Sequence, residues 1–328
     1  MREARIKVDP QLDEAVYHCV SRAVAAAWLF DQLAKEVFRQ QLWRAADYCG
    51  VQVITYALLS NHFHVMVRVP RTAPVSDQEL LRRYALYVRK NDRDEQARLA
   101  TIRATLAANG PKAGQWRRRQ LAQMGDVSLF MKKWKQRFSQ WFNHSHQRIG
   151  TLWASRFTST LVQPTGLASE AMSAYVDLNP VRAHIVTDPK DYRFCGYAEA
   201  VAGQPAAREG ISSLYGPLPW KEAQARYRLT LFGIGAEARE GKASISHQDF
   251  RRVIREKGQL AFSEVVRCRL RHFVHGGILG SRAFVQEQLE AYERRTRARP
   301  RTRPRPLPAW CDWGDLCVLR NVRQVETV

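Results

Sequence analysis

Thr55-Tyr56-Ala57-Leu58-Leu59-Ser60-Asn61-His62-Phe63-His64-Val65-Met66-Val67-Arg68-Val69 is the stretch on which fold and chemistry both turn. It reads as two short extended runs broken at Ser60-Asn61. Val51, Val53, Tyr56 and Leu58 are strand formers before the break; Phe63, Val65, Met66, Val67 and Val69 follow it. Side chains two apart on a strand share a face, so His62 and His64 point the same way and Phe63 points into the opposite packing layer. Two imidazoles side by side on a rigid strand make half of a divalent metal site. Taken alone, His-x-His is more simply a pair of surface histidines on an edge strand, and a third element has to decide.

That element is Ala168-Ser169-Glu170-Ala171-Met172-Ser173-Ala174-Tyr175-Val176-Asp177-Leu178-Asn179-Pro180-Val181-Arg182-Ala183. Ala168 to Leu178 carries helix formers and apolar residues at helical spacing. Pro180 disfavours helical geometry at Asn179, so the helix is expected to end there. Tyr175 and Asn179 are four apart and share a face. By itself Tyr175 is a half-buried packing tyrosine. Beside the histidines it reads as a nucleophile with a metal-ligating amide nearby.

Together the two motifs resemble those of the single-tyrosine HUH transposases, and within them the REP-associated tyrosine transposases and transposase-like proteins. The likeness is carried by Leu58 to His64 and by Tyr175 to Ala183, in that order. Arg148-Ile149-Gly150-Thr151-Leu152-Trp153-Ala154-Ser155-Arg156-Phe157, and Asp188-Pro189 through Tyr192-Arg193-Phe194, are similar to that group's flanking segments, so the resemblance spans about residues 12 to 200. It implies an α+β sandwich of the ferredoxin-like or RRM-like class, with Tyr175 as catalytic nucleophile. It also implies His62, His64 and Asn179 as ligands of a divalent metal, magnesium or manganese. The partner it implies is single-stranded DNA in hairpin-forming repeats, and it is compatible with a homodimer. Paired imidazoles by themselves favour softer ions such as zinc or manganese, so the identity of the metal stays open.

The 328-residue chain is long enough for two modest domains or one large one. Its 52 Lys and Arg against 31 Asp and Glu give a net charge of +21, a field that points to nucleic acid first and an anionic membrane second. No run approaches the roughly 18 apolar residues of a membrane span, and Met1 to Ile6 has no apolar core for a secretory signal. The expectation is therefore a cytoplasmic, nucleoid-associated protein. Six cysteines (Cys19, Cys49, Cys195, Cys268, Cys311, Cys317) form no CxxC pair and read as reduced packing residues.

Ala15 to Arg22 reads as a first strand in which His18 is a core or sheet-face histidine. Asp31 to Tyr48 follows as an amphipathic helix with Leu33, Val37, Phe38, Leu42 and Ala46 on one face. Strand, helix, strand, strand opens a ferredoxin-like sandwich, which agrees with the resemblance. Residues 72–126 read as a helical insertion, with Asp77 to Leu99 and Arg103 to Gln123 helix-prone, Asn109-Gly110-Pro111 a breaker and Arg117-Arg118-Arg119 a basic cluster.

Val127 to His144 is a further helix, whose stripe of Phe130, Trp134, Phe138, Trp141 and Phe142 is read as core. Lys132, Lys133, Lys135 and Arg137 lie off the stripe, where Lys133 and Arg137 are candidate DNA contacts. His144-Ser145-His146 repeats the His-x-His pattern after a helix, where nothing puts both rings on one strand face. Arg148 and Arg156 are candidate phosphate contacts or ordinary surface arginines, and Phe157 to Val162 reads as the last strand.

Residues 1–200 are thus assigned to the catalytic domain and 201–328 to a basic, mostly helical C-terminal region. Four helices are expected there: Trp220–Phe232, His247–Glu256, Phe262–His275 and Arg282–Arg295. Arg251, Arg252, Arg255, Arg267, Arg269 and Arg271 suggest a helix-turn-helix-like module, against a plain helical appendage. Arg294 to Pro306 is basic and proline-rich, and reads as an electrostatic arm. The functional expectation is metal-dependent nicking and strand transfer on single-stranded DNA. Its rivals are a transposase-derived protein that binds DNA without cutting and a membrane-surface protein driven by the arginine tail.

Overall fold

The computed structural model describes residues 6–8, 12–24, 29–71, 74–87, 94–232, 277–296, 303–307 and 313–320. Strand β1 (Glu14–Arg22), helix α1 (Gln32–Cys49) and strands β2 (Gln52–Leu58) and β3 (His62–Pro70) open the chain. Helices α2 (Asp77–Tyr87), α3 (Glu95–Ala107), α4 (Pro111–Leu121) and α5 (Val127–Ser145) come next, then β4 (Thr158–Val162). After it come α6 (Leu167–Asp177), α7 (Asn179–Arg182), α8 (Gly196–Val201), α9 (Pro205–Ser212) and α10 (Trp220–Phe232). The last described elements are β5 (Gly277–Ser281), α11 (Arg282–Thr296), β6 (Arg305–Pro306) and β7 (Leu316–Arg320). The fold is α+β, as expected. Two compact units are distinguished: Met1–Phe30, Val53–Arg68 and Trp153–Val328 form one, Asp31–Gln52 and Val69–Leu152 the other.

The first unit holds a seven-stranded sheet in the order β2-β3-β1-β4-β5-β7-β6. Its first four strands give the ferredoxin-like arrangement, with β1 and β3 in the middle. β1 runs antiparallel to β4 with His18 opposite Thr160. Central strands are buried on both sides, and Val16, Cys19, Phe63, Val65, Met66 and Val67 are all fully enclosed. Gly166, at φ 73°, makes the turn from β4 into α6, a conformation that side chains with a Cβ resist. α6 then lies against the sheet, where Ser173 Oγ reaches Met66 Sδ at 3.2 Å.

The open edge of β2 is covered by the chain that follows α7. Leu58 N–H donates to Phe194 O at 2.9 Å, and Ala57 bridges Cys195. Two glycines make the approach possible: a Cβ on Gly196 would lie 2.3 Å from Thr55 Oγ1, and one on Gly210 would lie 2.2 Å from Val53 O. The cover matters because an uncovered edge is a template for aggregation.

β5, β6 and β7 depart from the helical character expected of this region. β5 runs parallel to β4, with Leu161 opposite Ile278, and β7 runs antiparallel to β5. Gly277-Ile278-Leu279-Gly280-Ser281 is too short for a readable period, and its partner β4 is distant in sequence. Part of the expected arm is regular structure instead: Arg294 and Arg295 end α11, and Arg305-Pro306 pair with β7. β6 is the outermost strand, where the missing proline N–H costs no ladder bond. Helices expected at Trp220–Phe232 and Arg282–Arg295 are present as α10 and α11. His247–Glu256 and Phe262–His275, with the six arginines of the supposed DNA module, lie outside the described residues.

In the second unit, Asp31 caps α1 by accepting from Ala34 N–H at 2.7 Å, and Gly50 ends the helix at φ 62°. The buried face is Ala34, Phe38, Leu42 and Ala46; Leu33, expected on it, is 63% exposed. Asp126 caps α5 through Ser128 and Leu129 N–H. Four of the five stripe aromatics are core, as expected, and Trp141 is only half-buried: Phe38 stacks on Trp134 at 4.3 Å, and Trp134 Nε1–H donates to Phe38 O. The breaker expected at Asn109 (φ 48°), Gly110 and Pro111 does end α3 and start α4, whereas α3 runs straight through the gap expected between Leu99 and Arg103.

Candidate active site

Tyr175, His62, His64 and Asn179 meet on one cavity of about 400 Å³, which Arg22, Asn61 and Arg182 also line. All belong to the first unit. His62 and His64 leave the same face of β3 with ring centres 5.3 Å apart, while Phe63 packs edge-on against Trp153 on the other face. The alternation of a strand produces this arrangement. Tyr175 sits in the last turn of α6, its ring edge-on to His64 at 6.0 Å and to His18 at 6.3 Å.

The end of α6 is anchored by Asp177, which is fully buried. Its carboxylate accepts from Thr55 Oγ1 at 2.8 Å, from Tyr197 N–H at 3.1 Å and from the Tyr227 hydroxyl. Burial pushes its pKa up to about 6 against those hydrogen bonds. Tyr175 is thereby held at a fixed height over β3 by a carboxylate two residues along the helix.

Each candidate ligand is oriented by a neighbour. Asn61 Oδ1 lies 2.6 Å from His62 Nδ1; a carboxamide oxygen can only accept, so Nδ1 carries the proton and a neutral His62 has its lone pair on Nε2. His64 Nδ1 lies 2.9 Å from His18 Nε2. Burial first, then His18, His62, Arg182 and Arg22, hold His64 well below the usual imidazole range, so it is neutral near pH 7. The Asn179 amide nitrogen donates to both Tyr175 O and Val176 O at 3.1 Å, which fixes the flip and leaves Oδ1 as the group's acceptor. Asn179 does this from the first residue of α7, and it is helical where Pro180 was expected to forbid it. α6 ends at Asp177, Leu178 interrupts, and Pro180 is accommodated in the first turn of α7, where its missing N–H is one of the unpaired ones.

Two contributors escape a reading of the sequence. His18, which reads as a sheet-face histidine, pairs with His64 across adjacent strands. Arg182 follows Asn179 by three residues and lies over the Tyr175 ring, 3.9 Å from its centre. Its place in the run Asn179-Pro180-Val181-Arg182 is the available signal: one helical turn brings it back beside Asn179.

The remaining candidates are dispersed. Lys133 lies 4.9 Å from the Tyr48 ring centre and Arg137 the same distance from that of Tyr87, both within the second unit. Arg148 leans on Phe142 at 5.8 Å, and Arg156 is exposed. His144 is in the last turn of α5, whereas His146 stacks on Phe142 at 4.0 Å and its Nδ1 meets Phe142 O at 2.9 Å. Among the described residues, no group of three or more His, Cys, Asp or Glu is arranged around a common metal position, and no helix is long and apolar enough to cross a membrane.

No family model and no curated protein matches this chain. Among solved structures it is similar, distantly, to one described as a REP-associated tyrosine transposase bound to a REP hairpin. The two share 12% identity at a TM-score of 0.38, over 62% of this chain and 87% of that one.

Proposed function

We propose that this protein nicks and transfers single-stranded DNA, on hairpin or repeat sequences, through a covalent 5′-phosphotyrosine link at Tyr175. The observation that carries the reading is the meeting of Tyr175 with His62, His64 and Asn179 on one cavity. In the reaction, Tyr175 Oη bonds to phosphorus as the bond from phosphorus to the 3′ oxygen breaks. The phenolic proton ends on that oxygen, leaving a 3′-hydroxyl. One ester replaces another, so rejoining by the reverse step requires no nucleoside triphosphate.

The donor set fits a divalent ion such as magnesium or manganese: a neutral buried imidazole, a second with its lone pair on Nε2, and an amide oxygen. His62, His64 and Asn179 would hold it. When bound, such an ion supplies Lewis-acid polarisation of the scissile phosphate. Arg22 and Arg182 add positive charge on the same cavity. The single-stranded backbone suits the site because it can bend to present one phosphate, and the +21 net charge favours its approach.

One observation favours a second reading. Tyr175 is only 2% exposed, as a packing residue would be, which suits a transposase-derived protein that binds DNA without cutting. Incubation with a labelled single-stranded hairpin library and manganese, resolved on denaturing gels, decides between them. A protein–DNA adduct is expected. Binding with no adduct gives the second reading, and no binding removes both.

A further inference from the structure

We infer that His18 is a positioning residue that sets the tautomer of His64, and with it which ring nitrogen His64 can offer to a metal; the inference rests on the metal-dependent reading above. The two rings are within 7° of parallel, their facing nitrogens are 2.9 Å apart, and both residues are buried. One N···N hydrogen bond holds one proton, so the neutral pair has two arrangements. If His64 Nδ1–H donates, His64 Nε2 keeps its lone pair and can ligate. If His18 Nε2–H donates, the proton of His64 sits on Nε2 and blocks ligation there. A ligand role for His64 therefore requires His18 to accept through Nε2.

The neighbouring imidazole shows the same device built from another residue. His62 Nδ1 is backed by Asn61 Oδ1 at 2.6 Å, so both rings of the pair meet a partner through Nδ1. Asn61 is the adjacent residue in sequence, but His18 comes from the next strand, fixed there by the pairing of β1 with β4 at Thr160. Outer partners of this kind fix ring orientation and raise ligand basicity.

The test uses full-length wild type, His18→Leu and His18→Gln. Manganese affinity is read by calorimetry, fold by circular dichroism, and imidazole tautomers by 15N NMR on the metal-free wild type. Leucine, with no acceptor, should weaken binding about 10- to 100-fold, and glutamine, whose Oε1 can accept, should return it to within about threefold. NMR should place the His64 proton on Nδ1.

A folded His18→Leu that binds manganese as wild type does, a glutamine variant no better than leucine, or a His64 proton on Nε2 would each overturn the inference. If His18→Leu does not fold, the wild-type tautomers and the glutamine variant still decide. Wild type without manganese affinity removes the metal reading and this inference together. Intact wild-type affinity with an indifferent His18→Leu removes this inference alone.

Discussion

The Arg182 guanidinium covers the face of the Tyr175 ring, 3.9 Å from its centre, and donates to the carbonyl oxygen of the same tyrosine. That carbonyl is in the last turn of α6, where helix oxygens lack intrahelical donors and attract cations. One side chain therefore caps the helix and shields the aromatic ring.

Arg182→Gln should lose roughly 1–2 kcal/mol of stability, the combined scale of a cation–π contact and a charged helix cap. It should also expose Tyr175 to nitration and weaken single-strand binding. Mapping nitrated tyrosines by mass spectrometry checks this; unchanged nitration would show that the guanidinium does not shield the ring.

Tyr175→Phe should keep fold and DNA affinity and lose the covalent adduct, since the ring still packs and only the oxygen goes. An adduct that persists would move the nucleophile elsewhere. Tyr192 is a poor substitute: burial raises its pKa, and its hydroxyl donates to Leu58 O at 2.6 Å.

His62→Ala and His64→Ala should each abolish cleavage and metal binding, whereas His144→Ala and His146→Ala should leave both intact. The first pair shares a strand face on the cavity; in the second, His146 is stacked on Phe142. Asn179→Ala should weaken metal affinity less, because water can take a third position. Cleavage surviving in His64→Ala and lost in His146→Ala would transfer the site to the second pair.

Asp177 gives a pH signature. Its folded pKa of about 6 lies above the ordinary 3.8, so the folded state holds the proton more tightly than the unfolded chain. The stabilising contribution is complete below pH 3.8 and is lost as pH rises to about 6. Across that window wild type should lose on the order of 3 kcal/mol relative to Asp177→Asn, which does not titrate. Urea melts of both proteins from pH 3.5 to 7 read the difference directly, and parallel pH profiles would count against it.

The basic tail can be tested without removing strands. Arg294, Arg303 and Arg305 are exposed, and replacing all three with serine spares the β6–β7 pairing. Every arginine–phosphate pair that disappears should flatten the log–log salt dependence of single-strand binding by about 0.7, so up to about 2 for three. Cleavage-site choice should not change; if it does, these residues read bases.

Much of the site is legible in the sequence because its signals are local. His62 and His64 share a face by strand alternation, and Tyr175 and Asn179 by one helical turn, so each pair follows from spacing alone. The breaker at Asn109-Gly110-Pro111 and the aromatic core of α5 are local in the same sense, as is the ferredoxin-like opening; Pro180, by contrast, does not stop Asn179 from being helical. Leu33 goes the other way: its spacing fits the helix face, but the apolar stripe is centred on Ala34, Phe38 and Leu42.

What tertiary structure alone decided is which distant residues stand beside these. Nothing within β1 distinguishes His18 as the partner of His64; adjacency of β1 and β3 does. Nor does the helix containing Asp177 reveal that Thr55, Tyr197 and Tyr227 converge on its carboxylate. β5 to β7 escape for a related reason: short strands gain their stability from a neighbour's ladder, not from their own pattern. Periodicity records only which way a side chain points from its own backbone, while a hydrogen bond across a sheet depends on where another backbone has been brought.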